Sequence, residues 1–316
     1  MLVGFSAYSL RFSTGMWVKG VKRRMDVWDL IDVAKRVNAD GIMFNPAFIP
    51  RPQEESLRKL AKESEESNLY IELETYGTDP KSLKRIIDYS EVLGAEVMRT
   101  FIGGVTTRHE VGLEGWKRML RAAANNLREV STYAKSKGVK IAVENHGDLR
   151  AGELLELLRA VSSEWVGVCF DTGNQIFLLE DPIDSAEALA PYVFTTHIKE
   201  YRVLHCPGGI LVEGCRLFEG DIPNKEIVTI LRKHSPMGRD LHLNLEVALE
   251  RKAIPFLDPK FIKNLGEVSV SQLLKALRYA GGWTEDVGDF TFSEEILTRE
   301  IENLRISVER AKREWG

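Results

Sequence analysis

Residues 139–171 read VKIAVENHGDLRAGELLELLRAVSSEWVGVCFD. Val139–Glu144 is a short apolar run that ends in an acid. Ala151–Ser162 follows as a helical pattern. Val166–Asp171 is apolar at both parities through Val166-Gly167-Val168-Cys169-Phe170, as a strand covered on both faces must be. Strand, helix and strand at this rhythm form a βαβ unit, which makes the sheet parallel.

The same rhythm extends both ways. Further strands are expected at Leu2–Ala7, Gly41–Asn45, Leu69–Glu74, Glu96–Ile102, Val193–His197 and Leu241–Val247, making eight. Helical patterns fill Val27–Val37, Leu113–Ser136 (stopped by Gly138) and Asn224–Lys233. Eight βα units over this length match a (β/α)8 TIM barrel, which takes about 250 residues. A doubly wound open sheet would need a glycine-rich turn after the first strand, and Ser6-Ala7-Tyr8-Ser9 offers none. Residues 1–250 are therefore expected to form a catalytic barrel, and 251–316 a C-terminal helical extension packed on it. Val268–Tyr279 reads as a helix. The last helix carries Leu297, Ile301, Leu304, Val308, Ala311 and Trp315 along one stripe. That stripe fits a helix docked on the barrel, with a dimer-forming coil as the alternative, so a homo-oligomer stays open.

Composition narrows the function. The 316 residues are 44% hydrophobic and 28% charged, which excludes a disordered chain or a disulfide-stapled mini-protein. With 43 Lys and Arg against 47 Asp and Glu, the net charge of -4 disfavours nucleic acid as a partner. No run approaches the ~18 apolar residues of a membrane span. The apolar N-terminus precedes the basic cluster Lys19 to Arg24, the reverse of a signal peptide. Cys169, Cys206 and Cys215 are too few for a disulfide framework. Free thiols in a cytoplasmic protein are expected, although Cys206 and Cys215 are near enough in sequence to pair.

Barrel enzymes place their chemistry at the C-terminal ends of strands. Strands five to eight end in Glu144, Asp171, His197 and Glu246. Neighbouring strands bring these side chains to one mouth, where ionised carboxylates repel one another. A single divalent cation removes the conflict. Three oxygen ligands and one imidazole suit Mn2+ first, with Mg2+, Co2+ or Zn2+ as alternatives. Because His197 must be neutral to bind, affinity is expected to fall below the ordinary histidine value of about 6.5.

Four segments carry a resemblance: Val143-Glu144-Asn145-His146-Gly147, Phe170-Asp171-Thr172-Gly173-Asn174, His197-Ile198-Lys199-Glu200 and Leu245-Glu246-Val247, with a weaker match at Phe218-Glu219-Gly220-Asp221-Ile222. Through them the sequence resembles the xylose isomerase-like TIM barrels, specifically the sugar phosphate isomerase/epimerase group, over roughly one barrel's length. The resemblance implies that Glu144, Asp171, His197 and Glu246 hold one catalytic metal. It also implies that Glu144 and Glu246 exchange protons with a chelated substrate. The expected activity is isomerisation or epimerisation of a small sugar, sugar phosphate or polyol ketone through a metal-stabilised cis-enediolate. An inosose-type dehydratase is the alternative. An endonuclease IV-like nuclease, which needs extra histidine ligands where Phe44-Asn45-Pro46, Arg99-Thr100-Phe101 and Asn174 stand, and a non-catalytic sugar-binding barrel rank lower.

The ketose 3-epimerases of that group usually carry a histidine where Asn174 stands and an arginine six residues after the metal histidine. Arg202 here is five after His197. Further substrate-binding candidates are His146, Asn174, Lys199, Arg202 and Glu74. Arg99, inside the fourth strand, must have a buried partner. The stretch from Ile198 to Pro223 shows no clear periodicity and is expected to be a lid loop.

Overall fold

The computed structural model describes all 316 residues. The strands are β1 (Val3–Ser6), β2 (Gly41–Phe44), β3 (Tyr70–Glu74), β4 (Val97–Thr100), β5 (Lys140–Glu144), β6 (Val166–Asp171), β7 (Val193–Ile198), β8 (Tyr201–Cys206), β9 (Gly209–Gly214), β10 (Leu243–Leu245) and β11 (Arg251–Ile254). Strands β1 to β7 and β10 close into one parallel barrel in chain order, with β1 pairing β10 through Val3–Leu243, Gly4–Asn244 and Phe5–Leu245. All eight expected strands are present, most of them a residue or two shorter at the ends.

Helices α1 (Arg11–Thr14), α2 (Val27–Val37), α3 (Glu54–Glu66), α4 (Pro80–Leu93), α5 (Thr107–Lys137), α6 (Ala151–Val161), α7 (Pro182–Leu189) and α8 (Asn224–His234) fall between the barrel strands. Local chemistry sets their limits. Asp26 caps α2 by accepting from the amides of Trp28 and Asp29, and Asn38 ends the helix in the left-handed region. In α5 the regular track begins after Gly112, whose φ of 69° breaks the helix there. Tyr70 fills the N-terminal end of the barrel, where its hydroxyl donates to Asn244 Oδ1 at 2.9 Å and its ring stacks on His242. A Cβ at Gly41 would lie 2.3 Å from that ring, so only glycine leaves it room.

The stretch from Ile198 to Pro223 is not the aperiodic loop expected. It contains the antiparallel hairpin β8–β9, to which β11 adds a third strand. Tyr201 and Val203 face inward while Arg202 faces solvent, a period of two too short to stand out in the sequence. Gly208, at φ 84°, makes the turn. The three cysteines are buried and free. No helix is long and apolar enough to cross a membrane.

Two short helices, α9 (Pro259–Leu265) and α10 (Val270–Leu277), precede α11 (Glu294–Trp315). Leu304, Val308, Ala311 and Trp315 of α11 join the same buried cluster as the barrel strands, so the stripe docks on the barrel. Glu300, 1% exposed, fixes the docking. Its carboxylate accepts from the amides of Phe12 and Ser13, each at 2.8 Å, and from the Ser13 hydroxyl at 2.7 Å. Glu300→Ala leaves two buried amides without acceptors. The expected cost is about 2–6 kcal/mol in urea denaturation, at about 1–3 kcal/mol for each orphaned group. An unchanged midpoint would show that α11 is held by its apolar stripe alone.

Candidate metal centre

Side chains at the ends of barrel strands meet at the C-terminal mouth. Glu144 closes β5, Asp171 closes β6, His197 is next to last in β7 and Glu246 follows β10. The register sets Asp171 opposite His197, and His197 opposite Asn244. One ligand atom from each of the four lies within 4.8 Å of all the others. The imidazole Nδ1 of His197 sits 3.4 Å from Glu144 Oε1, 3.5 Å from Glu246 Oε1 and 4.0 Å from Asp171 Oδ2. All four side chains are buried.

This donor set fits a divalent ion. His197 Nδ1 and Asp171 Oδ2 are buried and make no hydrogen bond, although such atoms are nearly always satisfied. Both belong to the cluster. The other oxygen of Asp171 accepts from the amides of Gly173 and Asn174, each at 2.9 Å. The Asn145 side chain clamps the end of β5 to β6 by bonding both the Asp171 amide and carbonyl at 2.8 Å. Asp171 is thus held by one oxygen, while the other makes no hydrogen bond and faces the cluster. Three carboxylates and one imidazole match the hard-ligand preferences of the first-row divalent ions.

Two cations balance the acids. Arg99, on β4, ion-pairs with Glu144 and lies 3.5 Å from Glu74 Oε2. This is the partner that the sequence requires of it. Lys199 is 3% exposed. Its Nζ lies 2.9 Å from Glu246 Oε2, 3.2 Å from Asp171 Oδ2 and 3.1 Å from Asn174 Oδ1. Burial raises the Glu144 and Glu246 carboxyls. Arg99 and His197 outweigh this at Glu144, and His197 and Lys199 at Glu246, so both are held below the usual carboxylate range. For Asp171 burial wins, and the group is pushed up to about 7. Burial lowers His197, but Glu246 and Glu144 outweigh it and raise it to about 9.

The other candidates divide. Asn174 donates to Glu144 Oε1 at 3.1 Å. Glu74 lies at the mouth against Arg99. His146 stacks on Phe101, its centroid 4.0 Å away, and burial lowers it to about 4, so it stands neutral beside the cluster. Arg202 is set apart from these residues. It points outward from the hairpin and pairs with Glu213 and Glu219 at the surface.

Several residues at this mouth escape the sequence reading. Ser6 donates to Glu246 Oε1 at 3.0 Å, and Met43 Sδ lies 3.0 Å from His197 Nε2. Glu250 is fully buried, and the hydroxyls of Tyr8 and Tyr201 donate to it at 2.9 and 2.5 Å. An acid so close behind Glu246 in an apolar run was the available clue. Clefts of about 780 and 950 Å³ open elsewhere on the surface, and neither contains such a ligand set.

The proton count sets the pH dependence of metal binding. The sequence places the loss of affinity below about 6.5. The geometry moves it upward, because His197 keeps its proton to about 9 and Asp171 to about 7. Protons compete with the ion for both groups. Affinity should rise with pH up to about 9, with roughly one proton released near pH 8 and two near pH 6. Calorimetry of Mn2+ binding in buffers of different ionisation enthalpy measures this. A flat affinity from pH 6 to 9 would contradict it.

The comparisons with known proteins agree with this architecture. A family model described as a xylose isomerase-like TIM barrel matches residues 31–248. The uncharacterised protein YihM of Escherichia coli K12 is 27% identical over 208 residues, covering 64% of this chain and 61% of that one. A 3-oxo-isoapionate decarboxylase of Pectobacterium atrosepticum is 26% identical over 166 residues, covering 52% and 57%. The chain thus spans about six tenths of the length of the curated relatives it matches. The crystal structure of D-psicose 3-epimerase with D-tagatose, from Clostridium cellulolyticum H10, superposes with a TM-score of 0.62 at 14% identity, covering 97% of this chain and 98% of that one. At that identity the likeness is one of fold. With more than half its length matched to the family, the chain belongs to the xylose isomerase-like TIM barrels.

Proposed function

We propose that the protein is a cytoplasmic, divalent-metal-dependent isomerase or epimerase of a small sugar, sugar phosphate or polyol ketone. In this reading residues 1–250 are the catalytic barrel and 251–316 the extension packed on it. The observation that carries the proposal is the pair Glu144 and Glu246, both buried and held ionised on either side of His197. Glu144, Asp171, His197 and Glu246 would hold the ion, with Mn2+ favoured by three oxygen donors. A bound ion supplies Lewis-acid polarisation of a carbonyl and charge for the anion formed beside it.

The chain's own groups do the rest. A carboxylate removes the proton from the carbon next to the carbonyl, and a second group returns one. Glu144 is tied to a guanidinium that never deprotonates, which keeps it a weak base. Glu246 is tied to the Lys199 ammonium and the Ser6 hydroxyl, both of which can turn away. Glu246 is therefore the stronger base. Asn174 and Arg99 orient Glu144, and neutral His146 offers a hydrogen-bonding wall. A lyase is the second reading, in which the same anion expels a neighbouring hydroxyl as water, or is itself formed when a 3-oxo acid loses carbon dioxide and is then protonated. It is favoured by the likeness to a protein named 3-oxo-isoapionate decarboxylase.

Glu144→Gln and Glu246→Gln each remove a proton acceptor and keep the shape. Either should lose at least about a hundredfold in turnover, the lower end of general acid–base contributions. In D2O an epimerase should show one variant washing label into one epimer and the other variant into the opposite epimer. An isomerase should show one variant retaining most of the exchange with both substrates, and a lyase a product short of water or carbon dioxide. Both variants keeping their metal and near-normal turnover would exclude the two-glutamate chemistry.

A further inference from the structure

The barrel mouth has a second charged layer, built from residues beyond the family match at 31–248. Strand β11 carries Lys252, whose Nζ lies 2.6 Å from Glu250 Oε2. Glu250 is saturated, with Tyr8 and Tyr201 donating to it and Arg11 at 3.7 Å. Glu250 thus holds a fixed negative charge under the lysine, which is its shortest ion pair. Lys252 is the donor with room to spare, its side chain 33% exposed while that of Glu250 is 1% exposed.

Lys252 faces the centre. Its Nζ is 5.7 Å from the Phe177 ring and 6.0 Å from the Tyr8 ring. The same Tyr8 ring lies 5.9 Å from Lys199 Nζ, so the phenol is near both ammonium groups. Phe177 packs close to Gly147, next to His146. Tyr8 thus lies beside both ammonium groups, with Phe177 against Lys252 and Tyr201 5.9 Å from Lys199 Nζ.

Metal binding sharpens the asymmetry. Lys199 is neutralised by Asp171 and Glu246. An ion held by the cluster would add two positive charges beside Lys199, whose partner Glu246 Oε2 is the oxygen turned away from His197. A neutral sugar would answer neither Lys199 nor Lys252. An anion would balance the added charge, and Lys252, with its side chain 33% exposed, is the ammonium it can reach.

We propose that Lys252 reads an anionic group, carboxylate or phosphate, at the end of the substrate remote from the reacting carbon, so that the substrate class is a polyhydroxy acid or sugar phosphate and not a neutral ketose. The inference rests on the metal-dependent reading above and narrows it. Lys252 is a specificity-determining residue, supplied by the extension to the barrel.

The test is calorimetric titration of Mn2+-loaded protein with L-threonate, glycerol 3-phosphate and threitol. At least one anion should bind about tenfold or more tighter than threitol, the gain expected of a charge-assisted contact. The tighter of the two anions identifies the group read. Lys252→Met should remove most of that preference and leave threitol and Mn2+ affinities within about twofold, while Lys252→Arg should retain it. The proposal is overturned if no anion outbinds threitol, or if Lys252→Met weakens threitol as much as the anions, as a purely structural ion pair would. Mn2+ binding in the same samples separates the two readings. Protein that binds Mn2+ and exchanges a neutral ketose with D2O, yet gains nothing from an anion, keeps the isomerase and loses the anion subsite. If no Mn2+ binds, the isomerase reading falls, and the anion ranking is read on the metal-free protein, where the same order is expected and its absence is equally decisive.

Discussion

Five carboxylates, Glu74, Glu144, Asp171, Glu246 and Glu250, stand at one end of a closed barrel with almost no solvent. Burying that much like charge is the constraint to which the rest of the mouth responds. Each acid has an answer. Arg99 spans Glu144 and Glu74, Lys199 spans Asp171 and Glu246, and Glu250 collects two phenols, Arg11 and Lys252. Removing one member of such a buried set typically costs about 3–5 kcal/mol, because its partner is left desolvated and alone. His197 Nδ1 and Asp171 Oδ2 make no hydrogen bond, Lys199 meeting the latter only as an ion pair, and both atoms belong to the four-residue ligand set.

The scaffold around the mouth follows from the same demand. Strand β7 carries His197, and the chain leaves it to form a hairpin before α8. The hairpin brings Tyr201 back over Asp171, and a Cβ at Gly173 would stand 2.8 Å from the Tyr201 ring. Glu200, just before it, accepts from the amides of Phe218 and Ile222 and the side chain of Asn224, which ties the hairpin's return to the start of α8. Strand β11 then anchors on β9, so the extension touches the chemistry as well as the outer wall.

Much of this was legible in the sequence, and the gaps have physical reasons. Strands buried on both faces write themselves as short apolar runs, so all eight barrel strands and their terminal Glu, Asp, His and Glu could be located. Lys199 was within reach too, since residues two apart on a strand share a face and His197 already pointed inward. A lysine in a loop reads as solvated until something shows that its counter-ions are buried. Arg202 was misread because the spacing from His197 was counted along a loop, whereas the chain there is a strand whose alternation turns that residue outward. Glu250, Tyr8 and Lys252 come from segments far apart in the chain. No local period links them, and only the closure of β1 onto β10 and β11 onto β9 brings them together.

The way the ring closes also governs how the protein is made. Val3 must find Leu243, a pairing that spans most of the chain, and closure over such a separation is slow. The helix that covers the β1–β10 seam does not follow β10 directly. It waits until Glu294–Trp315, after β11 and two short helices have intervened. A nascent chain emerging from the ribosome therefore holds all eight barrel strands while the outer face of the seam is still bare. Domains synthesised in this order expose apolar surface until their last element arrives. For this protein that interval ends only when the final helix docks and Glu300 reaches the amides of Phe12 and Ser13, which makes the unsealed barrel the species that chaperones would meet.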